Sequence, residues 1–459
     1  MRHKQRVKLR EQAPLPFLIE SLSHEGRGVA HYGQQPEHNP DKHGKTVFVA
    51  FALPGEQVSA KVVETNKRFE EADAITVSNP SPDRVAPVCA HFGVCGGCSL
   101  QHLAVDAQVA FKQQMLAEQF AHFGGLVPEQ WVPPLRSART DYRRKARLGV
   151  RYVPQKGRTL IGFRERRSAF LAELSHCRVL DAQIGERIEV LRDLLTALSI
   201  REQIPQIEIA IGDDGVAIIV RHMVPMPEAD QAALLAFCRE LGWQLYLQPG
   251  GYDTVHRLDA PDAPHRLHYE LPEFGVRFAF SPLDFTQVNA GVNRQMVQQA
   301  VDWLALQPGE RVLDLFCGLG NFSLPLARRV GPMGQVVAVE GSTEMVERGS
   351  ENALANGLSN VQFFAQDLTR DFSAQPWAAQ GFDALLIDPP RSGAEAVMQY
   401  LPRFGARRLV YVSCNPATLA RDAGILAQSG YVLKKAGVMD MFTHTGHVES
   451  MALFEKARG

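Results

Sequence analysis

The chain has 459 residues, a formal net charge of −1 and seven cysteines. That length suggests about three domains, each able to bury its own core. The opening Met1-Arg2-His3-Lys4-Gln5-Arg6 is basic with no apolar stretch behind it, and no run approaches the roughly 20 apolar residues of a membrane span, so a soluble, cytoplasmic protein is expected. Seven cysteines in so long a chain, three of them clustered, read as metal-binding or catalytic thiols rather than a disulfide framework. Charge is unevenly spread. Arg2, Lys4, Arg6, Lys8 and Arg10 make residues 1–14 a basic arm, and Arg136 to Arg167 holds twelve Lys/Arg against Asp141 and Glu165. Patches of that density can neutralise phosphates even on a nearly neutral protein.

Residues 15–77 alternate in short runs, such as Thr46-Val47-Phe48-Val49-Ala50-Phe51 and Val58-Ser59-Ala60-Lys61-Val62-Val63, with turns at Gly26-Arg27-Gly28 and Pro54-Gly55. That spacing predicts a small OB-like β-barrel, with the polar stretch Gly33 to Gly44 as a mobile surface loop. Asn79-Pro80-Ser81-Pro82-Asp83 reads as the linker out of it. Residues 78–280 then alternate helices and strands as a central α/β domain. Asp106 is placed as the cap of a helix carrying Val109, Phe111, Met115, Leu116 and Phe120, ended by Gly124-Gly125. Strands around Leu148-Gly149-Val150 and Leu160-Ile161-Gly162-Phe163 carry the basic residues on their polar positions. The chemical marker of this domain is Cys89-x5-Cys95-Gly96-Gly97-Cys98 with Cys177 far downstream. Four thiolates suit a structural zinc or an iron–sulfur cluster, and spacing alone leans to zinc. Cys238 sits on an amphipathic helix and is read as core.

Residues 281–459 read as a doubly wound, Rossmann-like α/β unit. The apolar strand Val312-Leu313-Asp314-Leu315-Phe316 runs into Cys317-Gly318-Leu319-Gly320-Asn321-Phe322, glycines that let the backbone close on a nucleotide-like ligand. Ser323 stands where a dinucleotide fingerprint has its third glycine, which favours S-adenosylmethionine over NAD. Glu340 ends the next strand about 20 residues on, where a carboxylate can accept both ribose hydroxyls. Asp367 and Asp388 end two later strands, the positions expected near the adenine and the methionine end. Tyr411-Val412-Ser413-Cys414-Asn415-Pro416 ends a buried-strand pattern on a thiol that the Asn-Pro turn aims into a cleft.

Phe285-Thr286-Gln287-Val288-Asn289, Leu313 to Phe322, Asp388-Pro389-Pro390-Arg391, the Cys414 segment and Gly446-His447-Val448-Glu449-Ser450 together resemble the RNA uracil-5 methyltransferases, in the branch acting on 23S ribosomal RNA at uracil 1939. The resemblance spans the whole chain. It implies a class I S-adenosylmethionine-dependent methyltransferase domain, a central domain holding a [4Fe–4S] cluster on Cys89, Cys95, Cys98 and Cys177, and an N-terminal TRAM barrel that binds RNA. By motif, Gln287, Phe316, Asn321, Glu340, Asp367 and Asp388 contact the cofactor, Cys414 is the nucleophile and Glu449 the base. The Pro36–Gly44 stretch looks like an addition to the barrel, and a monomer is expected.

Carbon 5 of uracil attacks a sulfonium methyl only after a thiolate adds to carbon 6, which assigns Cys414 and requires its pKa to be lowered locally. The carbon 5 proton must then leave before the thiolate is eliminated, the work given to Glu449, with His447 competing. The target base is expected to be flipped from its stack. A tRNA uracil-5 methyltransferase shares this chemistry but lacks the cysteine cluster and barrel. A non-catalytic RNA-binding or assembly protein would not need Cys414 and Glu449, and a DNA cytosine-5 methyltransferase places its nucleophile after proline.

Overall fold

The computed structural model describes residues 12–457, so the basic arm expected at the N-terminus falls almost wholly outside the described residues. The chain divides into two compact units. The first comprises residues up to Lys112 with Phe163–Ala172 and Phe442–His447, and the second comprises Gln113–Gly162, Glu173–Met441 and Val448 onward.

In the first unit, β1 (Leu15–Leu18), β2 (Ser21–Leu22), β3 (Gly28–His31), β4 (Thr46–Ala50), β5 (Gln57–Thr65) and β6 (Phe69–Val77) form one sheet in the order β1-β5-β6-β4-β3-β2. The predicted alternation is what the sheet uses: Val47, Val49, Val58, Ala60 and Val62 point inward with Phe17, Ile19 and Tyr32. Burying each large apolar side chain contributes about 1.5–3 kcal/mol. The polar stretch 33–44, expected to be mobile, is instead pinned. His38 is 5 % exposed, packs its ring 4.6 Å from Phe17, accepts the Gly33 N–H at 3.0 Å through Nδ1 and reaches the Pro16 carbonyl through Nε2. Lys42 then pairs with buried Glu70 at 2.9 Å.

The cysteine segment follows the barrel as a run of turns. Cys95 N–H donates to His91 O at 2.9 Å and Gly96 N–H to Arg164 O at 2.9 Å, so the returning segment Phe163–Ala172 braces it. Helix α1 (Val105–Gln119) starts one residue before Asp106, which therefore sits in its first turn instead of capping it. A wide turn, Phe120–Gly124, and left-handed Gly125 close the helix where glycines were expected to.

The second unit contains two sheets and a hairpin. After β7 (Gln130–Trp131) come β8 (Lys145–Val153), β9 (Arg158–Gly162), α2 (Ala182–Gly185), α3 (Ile188–Ala197), β10 (Gln206–Ile211), β11 (Val216–Arg221), α4 (Glu228–Leu241), β12 (Gln244–Gln248) and β13 (His256–Arg257). These strands, β7 excepted, order as β13-β12-β11-β10-β8-β9. The hairpin β14 (Leu267–Leu271) and β15 (Val276–Phe280) leads to α5 (Ala290–Leu304). The second sheet is then built from β16 (Arg311–Leu315), α6 (Ser323–Val330), β17 (Gln335–Glu340), α7 (Thr343–Ala355), β18 (Val361–Ala365), β19 (Ala384–Ile387), α8 (Glu395–Met398), β20 (Arg408–Ser413), α9 (Pro416–Gln428), β21 (Tyr431–Met439) and β22 (Glu449–Lys456).

Its order is β18-β17-β16-β19-β20-β22-β21-β7, with β16 to β20 parallel and β22 antiparallel to both neighbours. Continuous apolar runs such as Val336–Val339 and Leu409–Val412 are buried because helices cover both faces of the parallel strands. The chain reverses its winding between β16 and β19, which opens a crevice at their carboxyl ends.

Candidate active site

Four strand ends meet at that crevice, and each carries a predicted residue. β16 leads into Phe316, which holds φ +62°, a left-handed backbone uncommon for an aromatic residue. Such strain is kept where surrounding contacts impose it, often at ligand sites. Gly320 has φ +96°, and a Cβ there would lie 2.8 Å from Leu324 Cδ1 and 3.0 Å from Phe363 Cζ, so glycine is required for the turn to close on α6. Glu340, at the end of β17, accepts the Gly318 N–H at 3.1 Å and the Gly341 N–H at 2.7 Å, tying the glycine turn to the neighbouring strand end.

Asp388 ends β19, and burial pushes its carboxyl up to about 7. Asp314, fully buried within β16, goes up to about 8 through burial, with Asp388 and Glu340 adding to the effect and the Ser323 hydroxyl opposing it. Asp314 was not singled out from the sequence. Its signal is an acid in the middle of an otherwise apolar strand. Phe316, Leu368, Thr369 and Pro390 line a cavity of 370 Å³. Asp367 is exposed and uses its carboxylate to accept from Thr369 N–H at 2.9 Å and the Thr369 hydroxyl at 2.6 Å, the role of a turn cap. Gln287 lies in a second cavity, shared with Tyr269 and Asn293.

The nucleophile and base candidates are brought together by strand register. β20 and β22 pair antiparallel with Val412 opposite Met451 and Ser413 opposite Ser450. β20 ends at Ser413 and β22 begins at Glu449, so Cys414 and Glu449 lie at the same end of this pair, near enough for the Glu449 charge to act on the thiol. Pro416 begins α9 and Asn415 caps it by accepting the Ala417 N–H at 3.1 Å, so Cys414 lies just before a helix N-terminus. Asn415 also donates to the Arg391 carbonyl at 3.0 Å, linking the thiol loop to the Asp388-Pro389-Pro390-Arg391 turn.

The thiol pKa corrects the expectation from sequence. It is not lowered but pushed up to about 11, by burial first and then by the charges of Glu449 and Asp388, with Arg391 opposing them. A helix N-terminus offers about 0.3–1 kcal/mol to an anion, too little to reverse this. His447, the competing base, belongs to the first unit and packs its ring 5.6 Å from Phe442.

Cys89, Cys95 and Cys98 lie in the first unit and Cys177 in the second. Cys95 Sγ accepts the Gly97 N–H at 3.4 Å, a contact that suits a thiolate ligand. Among the described residues, however, no three of His, Cys, Asp and Glu are gathered as a metal-binding group. The basic stretch is also less available than its composition suggests. Arg144 pairs with Asp213, Arg147 with Glu208, Arg158 with Glu173, and Arg166 and Arg167 with Asp73. Arg139 and Arg151 are exposed. No helix among the described residues is long and apolar enough to cross a membrane.

Comparison with known proteins bears on this site directly. Residues 15–75 match the TRAM domain, and residues 270–457 match the tRNA (uracil-5-)-methyltransferase family. The 23S rRNA (uracil(1939)-C(5))-methyltransferase RlmD of Acinetobacter baumannii strain AYE is 57 % identical over 99 % of this chain and 98 % of its own length. The protein of the same name from Psychrobacter arcticus is 54 % identical over 99 % of this chain and 92 % of its own length. In fold, the chain resembles the Pyrococcus abyssi tRNA (uracil-54, C5)-methyltransferase crystallised with S-adenosyl-L-homocysteine, at TM-score 0.72 and 23 % identity, covering 96 % of this chain and 100 % of that one. The chain therefore belongs to the S-adenosylmethionine-dependent RNA uracil-5 methyltransferases, in the family of the 23S rRNA (uracil(1939)-C(5))-methyltransferases.

Proposed function

We propose that this chain methylates carbon 5 of one uridine in 23S ribosomal RNA, at the position for which its relatives are named, through a covalent Cys414–uracil adduct resolved by Glu449. The observation that carries this reading is that Cys414 and Glu449 lie at one end of the β20–β22 pair, with the charges of Glu449 and Asp388 acting on the thiol. Cys414 Sγ adds to carbon 6 of the flipped base, which makes carbon 5 nucleophilic. When bound, S-adenosylmethionine supplies the electrophilic methyl. Glu449 then takes the proton from carbon 5 and the C6–S bond breaks, returning the thiolate and restoring the aromatic ring. Burial and the charges of Glu449 and Asp388 push the Cys414 pKa up to about 11, so positive charge brought to the site favours the thiolate. A cationic sulfonium near Asp388 works in that direction, by offsetting a carboxylate that raises the thiol pKa.

Gln287, Phe316, Asn321, Glu340, Asp367 and Asp388 are the residues that the resemblance assigns to the cofactor; in Asp367 both turn-cap bonds fall on Oδ1. For RNA, exposed Arg151 and Tyr252 beside Arg147 offer charge and a ring face on the central domain. The [4Fe–4S] cluster on Cys89, Cys95, Cys98 and Cys177 rests on the resemblance to the cluster-bearing branch of the family, since the cysteine spacing alone leans to zinc, and its role would be structural. Iron and zinc analysis of anaerobically purified protein tests it: about four irons per chain is expected, and stoichiometric zinc without iron overturns it. The methylation reading is tested by mapping 5-methyluridine in ribosomal and transfer RNA from a strain lacking the protein. Loss of one 23S site with tRNA unchanged is expected, whereas loss in tRNA alone assigns the chain to the other substrate class.

A further inference from the structure

The side chain of Asn321, at the end of the glycine turn, is held from two directions. Tyr269 on β14 donates its hydroxyl to Asn321 Oδ1 at 2.9 Å, and Asn293 on α5 donates Nδ2–H to the same oxygen at 3.1 Å. In return Asn321 Nδ2 donates to Asn293 Oδ1 at 2.9 Å. An amide oxygen has two lone pairs and an amide nitrogen two hydrogens. The three bonds consume both lone pairs and one hydrogen, so a single N–H is what the amide has left to offer a ligand. The donors are themselves fixed. Tyr269 stands opposite Phe278 in the hairpin with the rings stacked at 4.8 Å and 11°, and Asn293 is 5 % exposed. Burial drives the Tyr269 phenol well above its ordinary pKa, which keeps it a neutral donor.

We infer that Tyr269 and Asn293 are positioning residues that lock the Asn321 amide with one N–H free, so that Asn321 meets the cofactor as a hydrogen-bond donor to an acceptor such as its carboxylate. The cavity containing Gln287 is lined by Tyr269 and Asn293 themselves, which puts the clasp beside the cofactor residues. This inference rests on Asn321 being a cofactor residue, as proposed above.

The test measures affinity of the full-length protein for S-adenosylhomocysteine, KM for S-adenosylmethionine and RNA affinity in four variants. Asn321→Ala checks the underlying assignment: unchanged cofactor affinity overturns that assignment and the clasp with it. Tyr269→Phe keeps the ring on Phe278 and removes only the hydroxyl. It should weaken cofactor binding roughly tenfold, raising KM while kcat at saturation and RNA affinity stay near wild type. Asn321→Asp keeps an acceptor for Tyr269 but removes the donor, and should bind cofactor more weakly than Tyr269→Phe. Asn293→Asp removes a donor to Asn321 and should resemble Tyr269→Phe. If Asn321→Ala weakens binding while Tyr269→Phe and Asn293→Asp do not, the positioning role is wrong and the cofactor assignment stands. If Asn321→Asp binds as wild type does, the donor role is wrong. Parallel loss of RNA affinity and cofactor affinity in Tyr269→Phe would reduce the clasp to fold stability and overturn it.

Discussion

Acids withdrawn from water in the barrel and in the catalytic sheet end in opposite states. Glu56 and Glu70 are fully buried in the first unit, yet both are held below the usual carboxylate range. Burial alone would raise them, but Glu56 takes two bonds from Arg84 and backbone N–H groups from Leu53 and Ser81, and Glu70 takes bonds from Tyr32, Lys42 and Lys45. Among the described residues no such cation pairs with Asp314 or Asp388 in the catalytic sheet, and burial leaves them up at about 8 and about 7. The barrel satisfies its charges internally, which fixes a shape. The acids at the catalytic crevice are left without that compensation, an environment that favours positive charge beside them.

The comparison can be broken first at the nucleophile. Cys414→Ala should lower methyl transfer by on the order of a thousandfold or more while RNA binding persists, and 5-fluorouridine RNA should form a cofactor-dependent adduct with wild type but not with the variant. Near-normal turnover in the alanine variant sinks the covalent mechanism.

Glu449→Gln should slow turnover by about 10²–10⁴-fold and accumulate RNA-linked protein on denaturing gels, because addition precedes proton removal. Removing the carboxylate also removes a charge that raises the Cys414 pKa, so the thiol should fall from about 11. The pH dependence of alkylation reads this. An unmoved profile would mean that Glu449 does not face the thiol.

Cofactor affinity sharpens the contrast between the two acid sets. The cationic cofactor favours the ionised forms of Asp314 and Asp388, so affinity for S-adenosylmethionine should rise from about pH 6 to about pH 8 as these groups lose protons. Asp388→Asn should flatten that rise and weaken binding. The same ionisation, with no cofactor present, costs stability: a carboxyl raised in the folded state favours folding at low pH and loses that contribution as pH climbs toward its folded pKa.

The smallest effect on activity belongs to the barrel. Glu70→Gln should destabilise the first unit by about 1–3 kcal/mol, since Lys42 and Lys45 lose their charged partner in a partly buried setting. Wild type holds this contribution at neutral pH and loses it as pH falls below the ordinary glutamate range, the reverse of the catalytic acids. Thermal melts across pH, with kcat unchanged, check it.

Local pattern alone made the barrel strands, the parallel sheet, the glycine turn and the Cys414 strand end legible, because alternation, apolar runs and Gly or Asn-Pro turns are properties of neighbouring residues. It also placed Glu340 and Asp388 at strand ends, where the structure has them, whereas Glu449, which begins β22, was named only by the resemblance of Gly446-His447-Val448-Glu449-Ser450. What it could not supply was pairing across distance. That Cys414 and Glu449 come to one end of the sheet depends on the pairing of β20 with β22, that Asp314 is charged only with difficulty depends on the layers burying β16, and that His38 packs as it does depends on a hydrophobic surface formed by Phe17 and Tyr32. The thiol pKa was misjudged for the same reason. The chemistry asks for a thiolate and so for a lowered pKa, but only the folded chain shows the burial and the two carboxylates that push it up, because electrostatic free energy is set by the three-dimensional neighbourhood of a group and not by its neighbours along the chain.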